Sequence, residues 1–268
     1  MKLIQIYMRH PLLITLCFVQ TSLFAQDSMH VTTSLKPHMF GIIYDVAFFP
    51  KSDAGPAHLT SLEYTNKNKV PVSLRVNIAK RFSTTGMQLE ADAYPLLNKK
   101  TYAFLNAGVA DDILFPQYRA GISLFRALPS AVEAEGGFRF LYFKSPIWIY
   151  TGSIGKYFKN YWFNVSTFLT PEKGSFLHSY FFKTRYYFNE KSFMMVTLGT
   201  GISPDDRRNN NQLTGLKRVR SKRVDLSLKL FVKKYNVITL GAGVMKQIDQ
   251  EKKSSNQASA IVGYHKIF

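Results

Sequence analysis

The chain has 268 residues, of which 35 are Lys or Arg and 17 are Asp or Glu, so its formal net charge is +18. This length suits one large domain or two small ones, and the charge favours polyanionic neighbours such as nucleic acid, anionic lipid headgroups or acidic polysaccharide. After the first 25 residues, no uninterrupted apolar run reaches the ~18 residues that a spanning helix needs, which excludes a helical membrane bundle.

The N-terminus has the features of an export signal. Lys2 and Arg9 make its start basic, PLLITLCFV (residues 11–19) is apolar but too short to span a membrane, and Ala25 ends a plausible cleavage site. The sequence therefore predicts a signal peptide over residues 1–25.

The rest of the chain is predicted to be a short N-terminal lead over residues 26–37 and one mature domain over residues 38–268. The single cysteine, Cys17, lies inside the signal peptide, so the mature chain would contain no disulfide.

Apolar and polar residues alternate along nearly the whole mature domain. In residues 223–233, Val224 and Leu226 fall on one side of a strand and Asp225 and Lys229 on the other, because successive side chains point to opposite faces. The segments are close to the ~9–11 residues with which a tilted strand crosses a membrane. Fourteen strands are predicted, over residues 38–49, 58–64, 70–82, 87–93, 101–109, 117–125, 131–142, 146–156, 161–168, 176–188, 193–201, 223–233, 235–245 and 258–268.

The breaks between these segments alternate between short and long. Every second one is short, such as NKNK (66–69) and NEKS (189–192), while the others include PKSDAGPA (50–57) and the long loop of residues 203–221. Barrels of the outer membrane have short periplasmic turns and longer outer loops. The alternation therefore favours a membrane barrel over the alternative, a soluble periplasmic β-sandwich.

Lipid cannot satisfy an exposed backbone amide, so spanning strands must close into a barrel. We predict an all-β fold, an up-and-down antiparallel transmembrane β-barrel of about 14 strands, with 12 as the alternative. Aromatic residues near the segment ends are predicted to form interfacial girdles: Tyr142, Phe143, Trp148, Tyr150, Tyr157, Tyr161, Trp162, Tyr186, Tyr187 and Phe188.

Ionisable residues of both signs fall on the predicted inner face. Their signs alternate between neighbouring strands, so cross-strand ion pairs are available. They indicate either a polar channel or sugar-binding lining, or a network that fills and stiffens the interior. These lumen candidates are Arg75, Arg81, Glu90, Asp92, Arg119, Glu133, Glu135 and Arg139.

The long loop is strongly basic. In an exported barrel its charges would meet lipopolysaccharide phosphates or acidic polysaccharide rather than nucleic acid, and a merely solvated loop is the alternative. Asp205 and Asp206 alone are too few ligands to predict a metal site. The candidates for polyanion binding are Arg207, Arg208, Lys217, Arg218, Arg220, Lys222 and Arg223.

Little in the sequence points to catalysis. His58, His178 and His265 fall on separate predicted strands, and neither G-x-S-x-G nor H-E-x-x-H occurs. We therefore predict no catalytic residues, metal or cofactor. A hydrolase or acyltransferase site assembled in space from barrel strands remains the alternative, because such sites need no linear motif.

Several segments resemble a known family. FPQYRAG (115–121), EGGFRFLYF (135–143), YTGSIGKYFKNYW (150–162) and GTGISPDD (199–206) are similar to the YaiO family of outer-membrane β-barrels, and the resemblance covers residues 60–268. It implies an outer-membrane barrel domain from a Gram-negative bacterium. Some members of the family are associated with exopolysaccharide systems.

The last strand, ASAIVGYHKIF (258–268), resembles the C-terminal signal recognised by the barrel assembly machinery, with Phe268 last and Tyr264 four positions before it. The expected location is the cell outer membrane. The expected partners are outer-membrane lipid, lipopolysaccharide, the assembly machinery and acidic polysaccharide, but not nucleic acid. The expected function is a non-enzymatic, porin-like role in the passage or anchoring of surface polysaccharide or a small solute.

Overall fold

The computed structural model of the chain describes residues 37–50, 55–81, 83–111, 114–172, 174–207, 220–248 and 254–268, with Arg220 described in its backbone only. The predicted signal peptide and the lead up to residue 36 lie outside the described residues. Within the described ranges, no helix is long and apolar enough to cross a membrane.

The described chain is built of antiparallel strands. Fourteen of them are long, and the remaining one, β5, has three residues. They are β1 (His38–Phe48), β2 (Ala57–Asn66), β3 (Val72–Arg81), β4 (Thr84–Ala93), β5 (Leu96–Asn98), β6 (Thr101–Ala110), β7 (Tyr118–Leu128), β8 (Val132–Tyr142), β9 (Pro146–Phe158), β10 (Tyr161–Glu172), β11 (Ser175–Tyr187), β12 (Phe193–Thr200), β13 (Arg220–Val232), β14 (Asn236–Ile248) and β15 (Ser254–Ile267).

The sheet closes on itself. Each long strand pairs with the long strands next to it in sequence, and β1 pairs with β15 from Met39 opposite Ile267 to Phe48 opposite Ala258. The short strand β5 follows β4 after Pro95, which interrupts the ladder because proline has no amide hydrogen, and β6 pairs with both strands. The structure therefore confirms the predicted antiparallel barrel, with fourteen long strands rather than twelve.

The wall is apolar outside and polar inside. In β13, the outward Val224 and Leu226 are each 48% exposed, whereas the inward Asp225 and Lys229 are buried. A soluble protein of this size would bury the apolar side chains and expose the charged ones. The inversion matches a barrel whose outer face meets lipid and whose lumen holds the polar groups.

The connections divide only in part as the sequence predicts, because those between β3 and β4, β8 and β9, and β10 and β11 have just two or three residues at the end expected to carry long loops. At the end of the barrel that carries both His38 and Ile267, tight turns join the strands. Lys233 and Lys234 lie in the turn that connects β13 to β14, with positive φ angles of 49° and 64°. The longer connections lie at the opposite end, and two of them fold back over the lumen, as described below.

The predicted aromatic girdle is correct for some residues and wrong for others. Trp148, Tyr150 and Tyr161 face outward and are more than two-fifths exposed. Trp162 and Phe143 instead lie inside the barrel, at 2% and 6% exposure. Trp162 directly follows Tyr161 in β10, so the alternation of the strand allows only one of the pair to face lipid.

Candidate functional site in the lumen

Arg75 of β3 lies at the centre of a charged cluster on the inner wall. Its Nε donates to Glu63 of β2, and its Nη1 lies 3.3 Å from Glu90 Oε2 and 3.4 Å from Asp92 Oδ2, both on β4. All four side chains are almost completely buried. Buried charges are tolerated when they are paired and hydrogen-bonded, so this cluster stiffens three adjacent strands.

Amide side chains extend the cluster to the next strands. Asn106 of β6 donates through Nδ2 to Glu90 (2.8 Å) and Asp92 (2.6 Å), and its Oδ1 accepts from Arg119 Nε of β7 at 3.0 Å. Arg119 Nε also lies 3.4 Å from Glu90. The network therefore runs without a break across β2, β3, β4, β6 and β7.

A second polar group occupies the wall formed by β7, β8 and β9. Glu135 accepts hydrogen bonds from the hydroxyls of Ser123 and Ser153, each at 2.8 Å. Further round the barrel, the guanidinium of Arg185 lies between two rings, 4.8 Å from the centroid of Trp162 and 4.6 Å from that of Phe193. Aromatic faces attract cations, so Trp162 packs on Arg185 in the lumen and does not contribute to the lipid interface.

Residues 203–207, which we name the plug segment, fold from the end of β12 into the barrel. Asp205, Asp206 and Arg207 are each no more than 6% exposed. Arg207 forms a two-pronged pair with Glu90, with its Nε and Nη2 each 2.5 Å from a carboxylate oxygen. Because β4 lies half-way round the ring of long strands from β12, the plug segment spans the lumen.

The two aspartates of the plug segment pair with arginines of the wall. Asp205 Oδ1 lies 3.1 Å from Arg139 Nε of β8 and 3.7 Å from Arg119 Nη2 of β7. Asp206 accepts from Arg223 Nη1 of β13. Three consecutive plug residues are thereby joined to strands on different sides of the barrel.

The β6–β7 connection also turns inward. Leu114 and Phe115 are buried, Phe115 completely so. Leu114 and Arg207 both line a small cavity of about 30 Å³, together with Arg81 and Asp45. At this level the lumen is filled by the two inward-folded connections rather than left as a wide opening.

The matching family profile is the YaiO membrane β-barrel domain, which covers residues 37–206. The chain belongs to the YaiO membrane β-barrel family. The matched region runs from the start of β1 through β12 into the plug segment, and it contains the four segments whose resemblance was noted from the sequence. No curated protein matches the chain.

Solved structures with a similar fold include a hydrocarbon channel and outer-membrane proteins. The CymD monoaromatic hydrocarbon channel aligns at 8% identity and a TM-score of 0.53, over 90% of this chain and 91% of its own. A bacterial polysaccharide outer membrane secretin aligns at 7% identity and a TM-score of 0.50, over 87% and 99%. Omp33 of Acinetobacter baumannii aligns at 9% identity and a TM-score of 0.50, over 87% and 98%. At these identities the likeness concerns the fold alone.

The eight lumen candidates all lie on the inner face of the YaiO-family barrel. Arg75, Glu90, Asp92, Arg119, Glu133 and Arg139 are buried, whereas Arg81 and Glu135 are half-buried. The structure brings Arg75, Glu90, Asp92 and Arg119 into one network and joins Arg139 to it through Asp205. Glu133 lies apart from this network, and one of its carboxylate oxygens is buried without a hydrogen-bond partner among the described residues.

The candidates in the basic loop are not all on a surface, because two of them lie inside the barrel. Arg207 and Arg223 are buried in the lumen because the acidic groups that neutralise them lie there. Lys222 is exposed on the outward side of β13. Arg208, Lys217 and Arg218 and the side chain of Arg220 lie outside the described residues.

The sequence did not predict three acidic residues as members of the lumen network: Glu63, Asp205 and Asp206. Glu63 occupies an inward position of β2 between Ser61 and Thr65, so strict alternation could have identified it. Asp205 and Asp206 have no periodicity that would reveal an inward fold. The sequence alone offered them only as weak metal ligands.

The three histidines considered for catalysis do not meet. His58 and His178 bond the hydroxyls of Tyr44 and Tyr180 on the outer face, at 2.6 Å and 3.3 Å. His265 faces inward, where its Nε2 lies 3.1 Å from Glu63 Oε2. The wall of the barrel separates His265 from the other two.

Proposed function

We propose that this YaiO-family chain is a non-enzymatic outer-membrane barrel with a role in the passage of surface polysaccharide or a small polar solute. The observation that supports this most is the plug segment, which lies across a charged lumen and is joined to the wall through side-chain ion pairs. A segment held in this way can leave the lumen without breaking the β-ladders of the wall.

Location and partners belong to the same proposal. The predicted signal peptide would direct export, and the last strand would be recognised by the barrel assembly machinery. On the outer face, Lys222 of β13 lies opposite Lys246 of β14 near the long-connection end, where the phosphates of lipopolysaccharide would meet them. Where the solute is a surface polysaccharide, the proposed cargo or ligand is an acidic one.

The test is conductance of the purified chain in planar bilayers. We compare the natural chain with a variant in which residues 203–207 are replaced by a Gly-Ser segment of equal length. The natural chain should conduct little or intermittently, and the replaced variant should show larger and stable steps. A variant with the exposed change Asp111→Asn is the control and should behave as the natural chain.

Folding of each variant is checked by its β-sheet circular dichroism before the bilayer measurement. A folded plug-replaced barrel that remains silent would refute the passage role. A hydrolase or acyltransferase predicts instead that turnover of lipid or glycan is lost on mutation of one Ser or His, with conductance absent throughout.

A further inference from the structure

Arg119 and Arg139, on the neighbouring strands β7 and β8, are linked to Arg223 of β13 through two consecutive aspartates of the plug segment, and we name these three residues the arginine triad. Two of the carboxylates facing it come from the plug segment, with Asp205 between Arg139 and Arg119 and Asp206 on Arg223. The side chains of all five residues are at most 6% exposed. The triad therefore binds carboxylate groups of a connection in addition to two of the wall, Glu90 beside Arg119 and Asp225 beside Arg223.

Arg139 depends most on the plug segment for its charge balance. Its Nη1 donates to neutral groups of the wall, namely Ser123 Oγ at 2.9 Å and the carbonyl oxygens of Phe138 and Ile122 at 3.1 Å and 3.3 Å. Its ion pair is with Asp205. A buried cation that loses its counter-ion is strongly unfavourable, so withdrawal of the plug segment calls for a replacement anion.

Contacts with the wall also hold two arginines of the triad in position. Arg139 lies over the ring of Phe104, 4.7 Å from its centroid, and across Gly121, where a Cβ atom would come within 2.6 Å of Arg139 Cδ. Arg223 is also paired with Asp225 of its own strand, at 2.7 Å and 3.0 Å. Side chains that are fixed in advance bind a ligand with little loss of conformational entropy.

The plug segment presents its two carboxylates on one compact turn. Asp206 N donates to Ser203 O at 3.1 Å, and Asp205 N donates to Ser203 Oγ at 3.3 Å. The turn starts just after Gly201, whose φ of +78° favours glycine and whose backbone is fixed to Ser221 through two hydrogen bonds. The fixed point lies before the aspartates, so they can leave the triad while the end of β12 stays in place.

We propose that the arginine triad is a binding site for the carboxylate groups of an acidic solute, and that Asp205 and Asp206 occupy it as an internal substitute for that solute. Arginine binds carboxylates through charge-assisted hydrogen bonds, and the plug aspartates already make such bonds with Arg139 and Arg223. The class of solute is thus a sugar acid or a dicarboxylate. This inference rests on the proposed passage role and identifies the solute that would displace the plug segment.

The test uses the double variant Asp205→Asn, Asp206→Asn, which preserves side-chain shape and removes both charges. In a KCl gradient across a planar bilayer, its reversal potential should shift towards that of chloride. Glucuronate should reduce the current reversibly, and glucose, which lacks the carboxylate, should not. Succinate in a parallel series distinguishes a dicarboxylate from a sugar acid. Asp111→Asn, an exposed acid at the same end of the barrel, is the matched control and should leave the selectivity unchanged.

Adding Arg139→Gln to the double variant should abolish the glucuronate block while conductance persists. Calorimetric titration of the detergent-solubilised double variant with glucuronate gives a readout that needs no conductance. Heat of binding that is lost with Arg139→Gln supports the site. If no barrel conducts in the bilayer, that result refutes only the passage role and not the site. Conductance without anion selectivity, and without binding of glucuronate or succinate, would overturn the site and leave passage standing. If the double variant fails to fold, the plug-replaced barrel takes its place in both measurements.

Discussion

On the inner wall, glycines provide the space in which large side chains lie flat. Arg119 lies against Gly108 of the neighbouring strand and Arg139 against Gly121, and in each case a Cβ atom on the glycine would approach the arginine closer than 3.0 Å. A packed interior tolerates few added atoms, so these positions accept no larger residue without movement of the arginine.

Gly137 and Gly136 of β8 provide a matched test of this idea. A Cβ atom on Gly137 would come within 2.2 Å of the carbonyl oxygen of Ile122, whereas one on the outward Gly136 would meet nothing within 4 Å. We expect Gly137→Ala to lower the free energy of unfolding by about 1–3 kcal/mol, because backbone atoms must shift. Gly136→Ala should be neutral or stabilising by up to about 1 kcal/mol.

Urea unfolding in lipid vesicles measures both changes. Equal effects of the two substitutions would show that steric crowding at the inner face is not what requires glycine at residue 137.

At the scale of single strands, the two faces obey different rules. The outward residues of β13 and β14 meet lipid, and the inward ones meet charged partners, so a charge is tolerated or not according to its face and depth. Leu226 is outward and near the middle of β13, while Ile248 is outward at the end of β14 beside the long connection.

We therefore expect Leu226→Arg to destabilise the barrel by about 2–4 kcal/mol and Ile248→Arg by only about 0–1 kcal/mol. The arginine at residue 226 would lie in hydrocarbon, whereas that at residue 248 would reach the headgroups. Unfolding titrations in vesicles of one lipid composition compare the two. A smaller loss for Leu226→Arg than for Ile248→Arg would contradict the placement of β13 in the bilayer.

The strands were predictable from the sequence, and the plug segment was not. Alternation with a period of two is a local property, so it identified the fourteen strands and the eight inward charges from neighbouring residues alone. The inward fold of Asp205 and Arg207 depends on partners more than sixty positions away in sequence. No local pattern encodes such a pairing, and a run of basic residues looks the same whether it is solvated or neutralised inside.

Trp162 shows a second limit. Tyr161 and Trp162 are adjacent, and both are typical of a membrane interface, so composition alone could not decide which one faces lipid. The decision comes from Arg185 on the adjacent strand, whose guanidinium Trp162 covers inside the barrel.

At the scale of the whole molecule, closure pairs each of the fourteen long strands of the described chain on both sides. The pairing of β1 with β15 joins Tyr44 directly opposite Val262, and both side chains point outward. Directly opposite residues of antiparallel strands have Cα atoms about 4.5–5.5 Å apart, which is within the range of a disulfide.

We therefore expect Tyr44→Cys combined with Val262→Cys to form a disulfide on mild oxidation in a Cys17→Ser background. Electrophoresis without reductant detects the cross-link as a faster-migrating denatured band. The pair Tyr44→Cys and Tyr118→Cys, on strands that are not neighbours, is the control and should remain reduced. Cross-linking that is no greater in the first pair than in the control would contradict a closed barrel.

The plug segment also constrains the order in which the molecule assembles. The pair between Arg207 and Glu90 joins positions 117 residues apart, so the intervening chain must be organised before that contact compensates for the lost entropy. Its partner strands lie in both halves of the sequence, and neither half alone can hold it. The salt bridges across the lumen are thus late events in folding, and a chain stalled during membrane insertion would keep its interior hydrated until the last strands arrive.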